Sequence, residues 1–201
     1  MTSDEGDAVA YAAGIRRALG CGETPTIEGL VHRATGSPVG RASFAVTEVT
    51  VSNLNHRPVL YVNARLPAAR ARWCVAWAFA GWAMLQDKMP EGEIRRLRAR
   101  VAGDLLLPAD IAARAFRKAS PAAVAVAFSM PLATALLREA EVTRVPTALV
   151  VPGRYVRVRG DDAGRLPTGR AALELLAGRR GIGIARYQVP EEGGVVLRVA
   201  A

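Results

Sequence analysis

The sequence predicts an α+β fold. A mainly helical domain with a small sheet packed on one buried, Trp-rich helix is followed by a smaller β-β-α-β-β unit. Three observations lead there. Arg72 to Leu85 holds all three tryptophans, and Trp73 to Leu85 is a run of thirteen residues without a charge. Thirteen helical residues span roughly 20 Å, short of the about 20 apolar residues that a membrane span needs, so this helix is expected to be buried on nearly every side. Upstream, Arg41 to Ser52 alternates apolar and polar residues, the period of a half-buried strand. Beyond Arg144-Val145-Pro146 the chain turns to short β-rich runs separated by Gly and Pro.

Taken in order, residues 1 to 7 are expected to fray, and Val9, Ala12, Ala13, Ala18 and Leu19 mark a first helix from Ala8 to Leu19, ended by Gly20 and Gly22. Thr26 precedes a second helix that stops near Gly36-Ser37-Pro38. Ala42, Phe44, Val46, Val49 and Val51 give a strand or two over 41–52, with an irregularity near Glu48. Asn53 to Pro58 has turn chemistry, and Val59 to Asn63 is the next strand. After the Trp-rich helix and a loop over 87–92, a helix from Glu91 to Leu107 carries Ile94, Leu97, Val101 and Leu105 as a core stripe and Arg95, Arg96, Arg98 and Arg100 on its basic face. Helices follow at about 109–119, 121–127 and 131–141. The tail reads as strands at 147–151 and 155–158, a helix at 169–177 and strands at 182–189 and 195–199.

The chain of 201 residues is long enough for a sizeable core, and with 51% hydrophobic and 22% charged residues it is globular. Arginine supplies nearly all of the +9 net charge, Lys88 and Lys118 being the only lysines. The acidic opening Met1 to Asp7 lacks a signal peptide's basic region and apolar run, no segment reaches transmembrane length, and Cys21 and Cys74 are isolated. These features point to a cytoplasmic protein without a disulfide framework.

Tyr61-Val62-Asn63 followed by Arg72-Trp73-Cys74-Val75-Ala76 resembles zinc peptidases of the ImmA/IrrE kind, in which a strand ending Val-Asn precedes an Arg-Phe-Thr-Leu-Ala-His-Glu-Leu-Gly-His run. Arg100 to Pro108 is similar to that family's Arg-Phe-Ala-Ala-Glu-Leu-Leu-Met-Pro segment, and the resemblance covers residues 8 to 145. It implies a zincin-like domain over 8–145, with 146–201 as a separate small α+β subdomain. In that register Trp77 falls on the first zinc histidine, Ala78 on the general-base glutamate, Gly81 on the second histidine and Leu97 on the third ligand. Zinc needs imidazole nitrogen or carboxylate oxygen at roughly 2.0–2.2 Å. None of these four side chains offers such a donor. The resemblance therefore implies a pseudo-peptidase with no metal, no cofactor and no catalytic residue. Leu97 is expected to pack against Trp77 where zinc would sit, and Trp77, Trp82 and Leu97 are the candidate pocket.

The expected function is that of a non-catalytic interaction or regulatory protein with a protein partner, since family peptidases cleave helix-turn-helix repressors and a metal-free site could hold one uncut. Two alternatives stay open: a nucleic-acid-associated protein using Arg-rich surfaces, and an enzyme whose former zinc cleft has become an organic-ligand pocket. Arg154, Tyr155, Arg157 and Arg159 are candidate anion-binding residues, with Tyr155, Arg157 and Arg159 on one strand face. A solvated face is the competing reading, as it is for the Arg95 to Arg100 cluster. Gly178 to Gly183 lacks the strand-loop-helix setting of a phosphate loop, and Cys74, His32 and His56 lack catalytic or metal-binding company.

Overall fold

The computed structural model describes residues 3–20, 26–54, 57–144, 147–151, 155–159, 184–189 and 194–199. The described helices are α1 (Ser3–Ala18), α2 (Ile27–Thr35), α3 (Ala68–Gln86), α4 (Glu91–Leu106), α5 (Ala109–Phe116), α6 (Pro121–Ala127) and α7 (Leu132–Thr143). The described strands are β1 (Gly40–Ala42), β2 (Val49–Leu54), β3 (Arg57–Asn63), β4 (Thr147–Val151), β5 (Tyr155–Arg159), β6 (Ile184–Val189) and β7 (Gly194–Val199). The fold is α+β, and the chain divides into two compact units. No single described helix is long and apolar enough to cross a membrane.

The first unit comprises Met1–Ala109 and Phe128–Met130. Its helix α1 starts at Ser3, five residues before the expected start. Acidic residues in a first turn favour helix through the helix dipole, and the opening run of this sequence is acidic where fraying was expected. Thr26 caps α2 by accepting a hydrogen bond from the Gly29 backbone N–H, and Gly36 closes it at φ 70°, a conformation that glycine adopts at little cost. The alternating run over 41–52 becomes two strands on opposite edges of β3. β1 runs parallel to β3, with Gly40 opposite Tyr61, and β2 runs antiparallel, with Val49 opposite Val62. The chain must therefore cross over between Ala42 and Val49, which is why Glu48 interrupts the alternation. Asn63 Nδ2 holds the crossover by donating to the carbonyls of Phe44 (3.0 Å) and Thr47 (3.2 Å). The expected turn over 53–58 is narrower, because β2 reaches Leu54 and β3 begins at Arg57.

Three layers meet on α3: the sheet through β2 and β3, α2, and α4, which also packs against α1. One buried cluster joins α1 to α4. Arg16 Nη2 donates to Asp104 Oδ2 and Arg16 Nη1 to the Asp104 carbonyl, both at 2.8 Å. Asp104 Oδ1 accepts from the Ala109 backbone N–H at 3.0 Å, at the start of α5. Asp104 is fully buried, so its charge is tolerated only because each oxygen has a donor.

The second unit comprises Asp110–Ala127 and Pro131–Ala201. Its α5 ends at Phe116, short of the expected 119, ahead of the Ser120-Pro121 step that opens α6. Arg144 ends α7 in a left-handed conformation at φ 65°, and Arg138 pairs with Glu141 within the helix at 2.9 Å. The strands form one antiparallel sheet in the order β5-β4-β7-β6, with Thr147 opposite Arg159 and Ala148 opposite Leu197. α7 packs on β4 and β5, which draws the preceding short helices to the C-terminal sheet. The division thus differs from the boundary expected at 145/146. The helix expected at 169–177 lies outside the described residues.

Truncating Asp104 leaves Arg16 and the start of α5 without their acceptor. Asp104→Ala is expected to lower the unfolding free energy by about 3–5 kcal/mol, read by urea denaturation. A loss under about 1 kcal/mol, the range of exposed pairs, would show that the cluster is dispensable.

Candidate functional site

Helix α3 is less enclosed than its composition suggests. Its buried residues are mostly small: Ala71, Cys74, Val75, Ala76, Ala78, Phe79, Ala80, Gly81 and Met84. Phe79 and Met84 are the large buried ones, whereas Trp77 and Leu85 are 37% and 62% exposed and Trp73 and Trp82 half-buried. The expectation of burial on nearly every side is corrected accordingly. Small side chains let neighbouring backbones come close, and an indole at the rim keeps apolar contact while its N–H reaches water.

Where the zinc residues of the resembled family would stand, a guanidinium stands instead. Arg98, from α4, lies over the Trp77 ring with its central carbon 3.2 Å from the ring centroid. Its Nε donates to the Trp77 carbonyl at 2.7 Å. A Cβ added at Gly81, one turn along, would overlap the same guanidinium. Arg98 therefore occupies the notch across positions 77 and 81 that the missing Gly81 side chain leaves open. Burial pulls its pKa down to about 10, so it remains charged at neutral pH. This corrects the solvated-face reading for Arg98, and it shows that the α4 side chain stacked on Trp77 is Arg98. Leu97, 2% exposed, belongs to the core beside it, as does Ala78 at 3%.

A zinc ion does not fit this residue set. Positions 77, 78, 81 and 97 supply no nitrogen or oxygen ligand, and a positive group already fills the notch between two of them. Among the described residues, no three His, Cys, Asp or Glu side chains converge on a point that would hold a metal ion.

Along α3, Arg70 and Cys74 continue the line of Trp77 and Gly81 at helical spacing. Arg70 grips Glu48 with two hydrogen bonds, Nε to Oε1 at 3.0 Å and Nη2 to Oε2 at 2.9 Å. The Cys74 thiol sits 3.6 Å from Glu48 Oε2. Hydrogen bonds from Arg70 hold the Glu48 carboxyl below the usual carboxylate range, against the opposing effect of partial burial. The thiol thus faces a carboxylate, an environment that does not favour a thiolate nucleophile.

Trp77, Trp82 and Leu97, the candidate pocket, do not share the groove that the described residues form around Trp82. Trp82 instead stacks with Phe79 at a 5.8 Å centroid separation and lines an open groove of about 430 Å³ with Tyr11, Ile15, Leu19 and Asp87, and neither Trp77 nor Leu97 belongs to its lining. At one end the Tyr11 hydroxyl donates to Asp87 Oδ2 at 2.6 Å. Burial first, and Asp87 second, hold that phenol well above its ordinary pKa. No sequence signal separated this groove from the site at Trp77, because its lining comes from α1, α2 and α3, which are remote from one another in the chain.

Other candidates resolve individually. Arg95 pairs with Glu91 and Arg96 with Glu93 on the same helix, so half of the expected basic cluster is neutralised locally. Tyr155, Arg157 and Arg159 lie opposite Val151, Leu149 and Thr147 in the β5–β4 register, while Arg154 lies outside the described residues. His32 is exposed on α2, and His56 also lies outside them.

No protein-family model and no curated protein matches the sequence. A solved structure titled "Mycobacterium tuberculosis transcriptional regulator" has a similar fold, with a TM-score of 0.62 over 96% of this chain and 87% of that chain at 15% identity. At that identity the likeness concerns the fold.

Two outcomes follow from this geometry. Installing the peptidase residues together (Trp77→His, Ala78→Glu, Gly81→His, Leu97→Glu) is expected to cost more than about 4 kcal/mol, since two acids enter dry positions and a histidine collides with Arg98; folded, zinc-loaded protein would contradict this. The Glu48 carboxyl has a folded-state pKa below its ordinary value of 4.5, so its pairing with Arg70 stabilises the fold above that value. That contribution is lost as pH falls through the folded value. The gap in melting temperature between wild type and Glu48→Gln should be present at pH 7 and close on acidification below about 4.5.

Proposed function

We propose that this protein is a regulatory interaction protein built on a degenerate ImmA/IrrE-like peptidase scaffold, which binds a helix-turn-helix regulator without cleaving it. The observation that carries the reading is the Arg98 guanidinium across Trp77 and Gly81. A hydrolytic site would need an open metal position there, and a fixed side-chain cation takes its place. The paired scaffold motifs around Tyr61-Val62-Asn63, Arg72 to Ala76 and Arg100 to Pro108 support the ancestry. The fold neighbour is titled a transcriptional regulator, which is compatible with a regulatory role for this chain. Nucleic acid as the direct partner is less favoured, because Arg95, Arg96 and Arg114 each spend their charge on an acid one helical turn away.

Metal analysis of freshly purified protein tests the reading. It is expected to show sub-stoichiometric zinc, an unchanged melting temperature with a chelator, and a stable complex with an uncleaved helix-turn-helix protein. Stoichiometric zinc with chelator-sensitive cleavage of that protein would overturn it.

A further inference from the structure

The notch holding Arg98 is more than a plugged hole. Arg98 Nε is engaged by the Trp77 carbonyl, but its two Nη groups have no acceptor and the guanidinium has no carboxylate partner among the described residues. Its neighbours on α4 do not share this state, since Arg95 and Arg96 have Glu91 and Glu93. A guanidinium that is half-buried and stacked is already oriented and partly dehydrated, so little further ordering is needed for an anion to bind it. The Trp77 ring beneath it stays 37% exposed and offers apolar surface beside the charge.

We propose that Arg98 and Trp77 form a docking point for an acidic side chain, Asp or Glu, of a partner protein segment, with the carboxylate on the two Nη groups and flanking apolar residues against the indole. The planar fork matches a carboxylate in bidentate fashion. An acidic partner also complements the +9 charge of this chain. A phosphodiester backbone is less well matched, because nucleic-acid surfaces present several free cations and the adjacent Arg95 and Arg96 are neutralised. The proposal deepens the reading that the protein acts by contact, and rests on it for the existence of a protein partner.

The test is a nitrogen-15 NMR titration of the full-length chain, following the Trp77 indole N–H and the Arg98 Nε–H. The probes are a capped ten-residue peptide with two Glu among apolar residues, its Gln twin, free glutarate and a single-stranded DNA oligonucleotide. Saturable shifts of both signals with the Glu peptide, at least tenfold weaker with the Gln twin and with Arg98→Gln, are expected. Arg98→Lys, which keeps the charge but loses the fork, should bind with intermediate affinity. Gly81→Ala displaces the guanidinium while alanine's better helix propensity favours the folded helix, so it should fold and bind the Glu peptide at least tenfold more weakly than wild type. Equal affinity in Arg98→Gln or Gly81→Ala, equal binding of the Gln twin, or no saturable shift would overturn the proposal. So would glutarate matching the peptide, which would make this a small-molecule site, or the oligonucleotide shifting the same signals at equal or higher affinity. Stoichiometric zinc would sink the regulatory reading alone, whereas a zinc-free protein that ignores the Glu peptide would sink only this inference.

Discussion

The structure of the first unit depends on how closely α4 can lie against α3. At Gly81, where no side chain projects, there is room for a long residue of the neighbouring helix to cross α3. Arg98 uses the room. Its planar guanidinium stacks on Trp77, and its Nε donates to a helix carbonyl. The result is a positively charged group held at the rim of the core.

A metal ion and a guanidinium are both cations, yet they constrain a protein differently. Zinc demands several convergent lone pairs and organises them into a polar, hydrated cavity. A guanidinium brings its own donors, lies flat on an aromatic face, and tolerates the apolar neighbours Leu97 and Ala78. The set of Arg98, Trp77, Gly81 and Ala78 therefore suits a stacked guanidinium and not a coordinated metal ion. The Glu48–Arg70 pair farther along α3 is the opposite case: its charges are matched internally and serve to anchor the crossover before β2.

The same contrast runs through the other arginines. Arg16 is consumed by Asp104, Arg70 by Glu48 and Arg138 by Glu141. Composition alone offers +9 as a single quantity, whereas the fold commits Arg16, Arg70 and Arg138 to acids and lays Arg98 over Trp77 instead. Pairs such as Arg95–Glu91 follow from helical spacing, and pairs such as Arg16–Asp104 join residues far apart in the chain.

What the sequence determined by itself was local and periodic. The helices over α2, α4 and α6, the strand β3, the C-terminal strand runs and the central place of the Trp-rich helix all follow from apolar spacing, caps and turn residues, which act over a few positions. It also shows the absence of ligands at 77, 78, 81 and 97, because side-chain identity decides whether a donor exists. The early start of α1 was misread because an acidic run resembles a solvated tail until the helix dipole is considered. Only the tertiary structure decided that β1 and β2 flank β3 from opposite sides, that Trp82 serves a groove with α1 while Trp77 does not, and that Arg98 rather than Leu97 covers Trp77. Those outcomes depend on the angle and distance at which elements remote in sequence cross, and residue spacing along a single element carries no record of them.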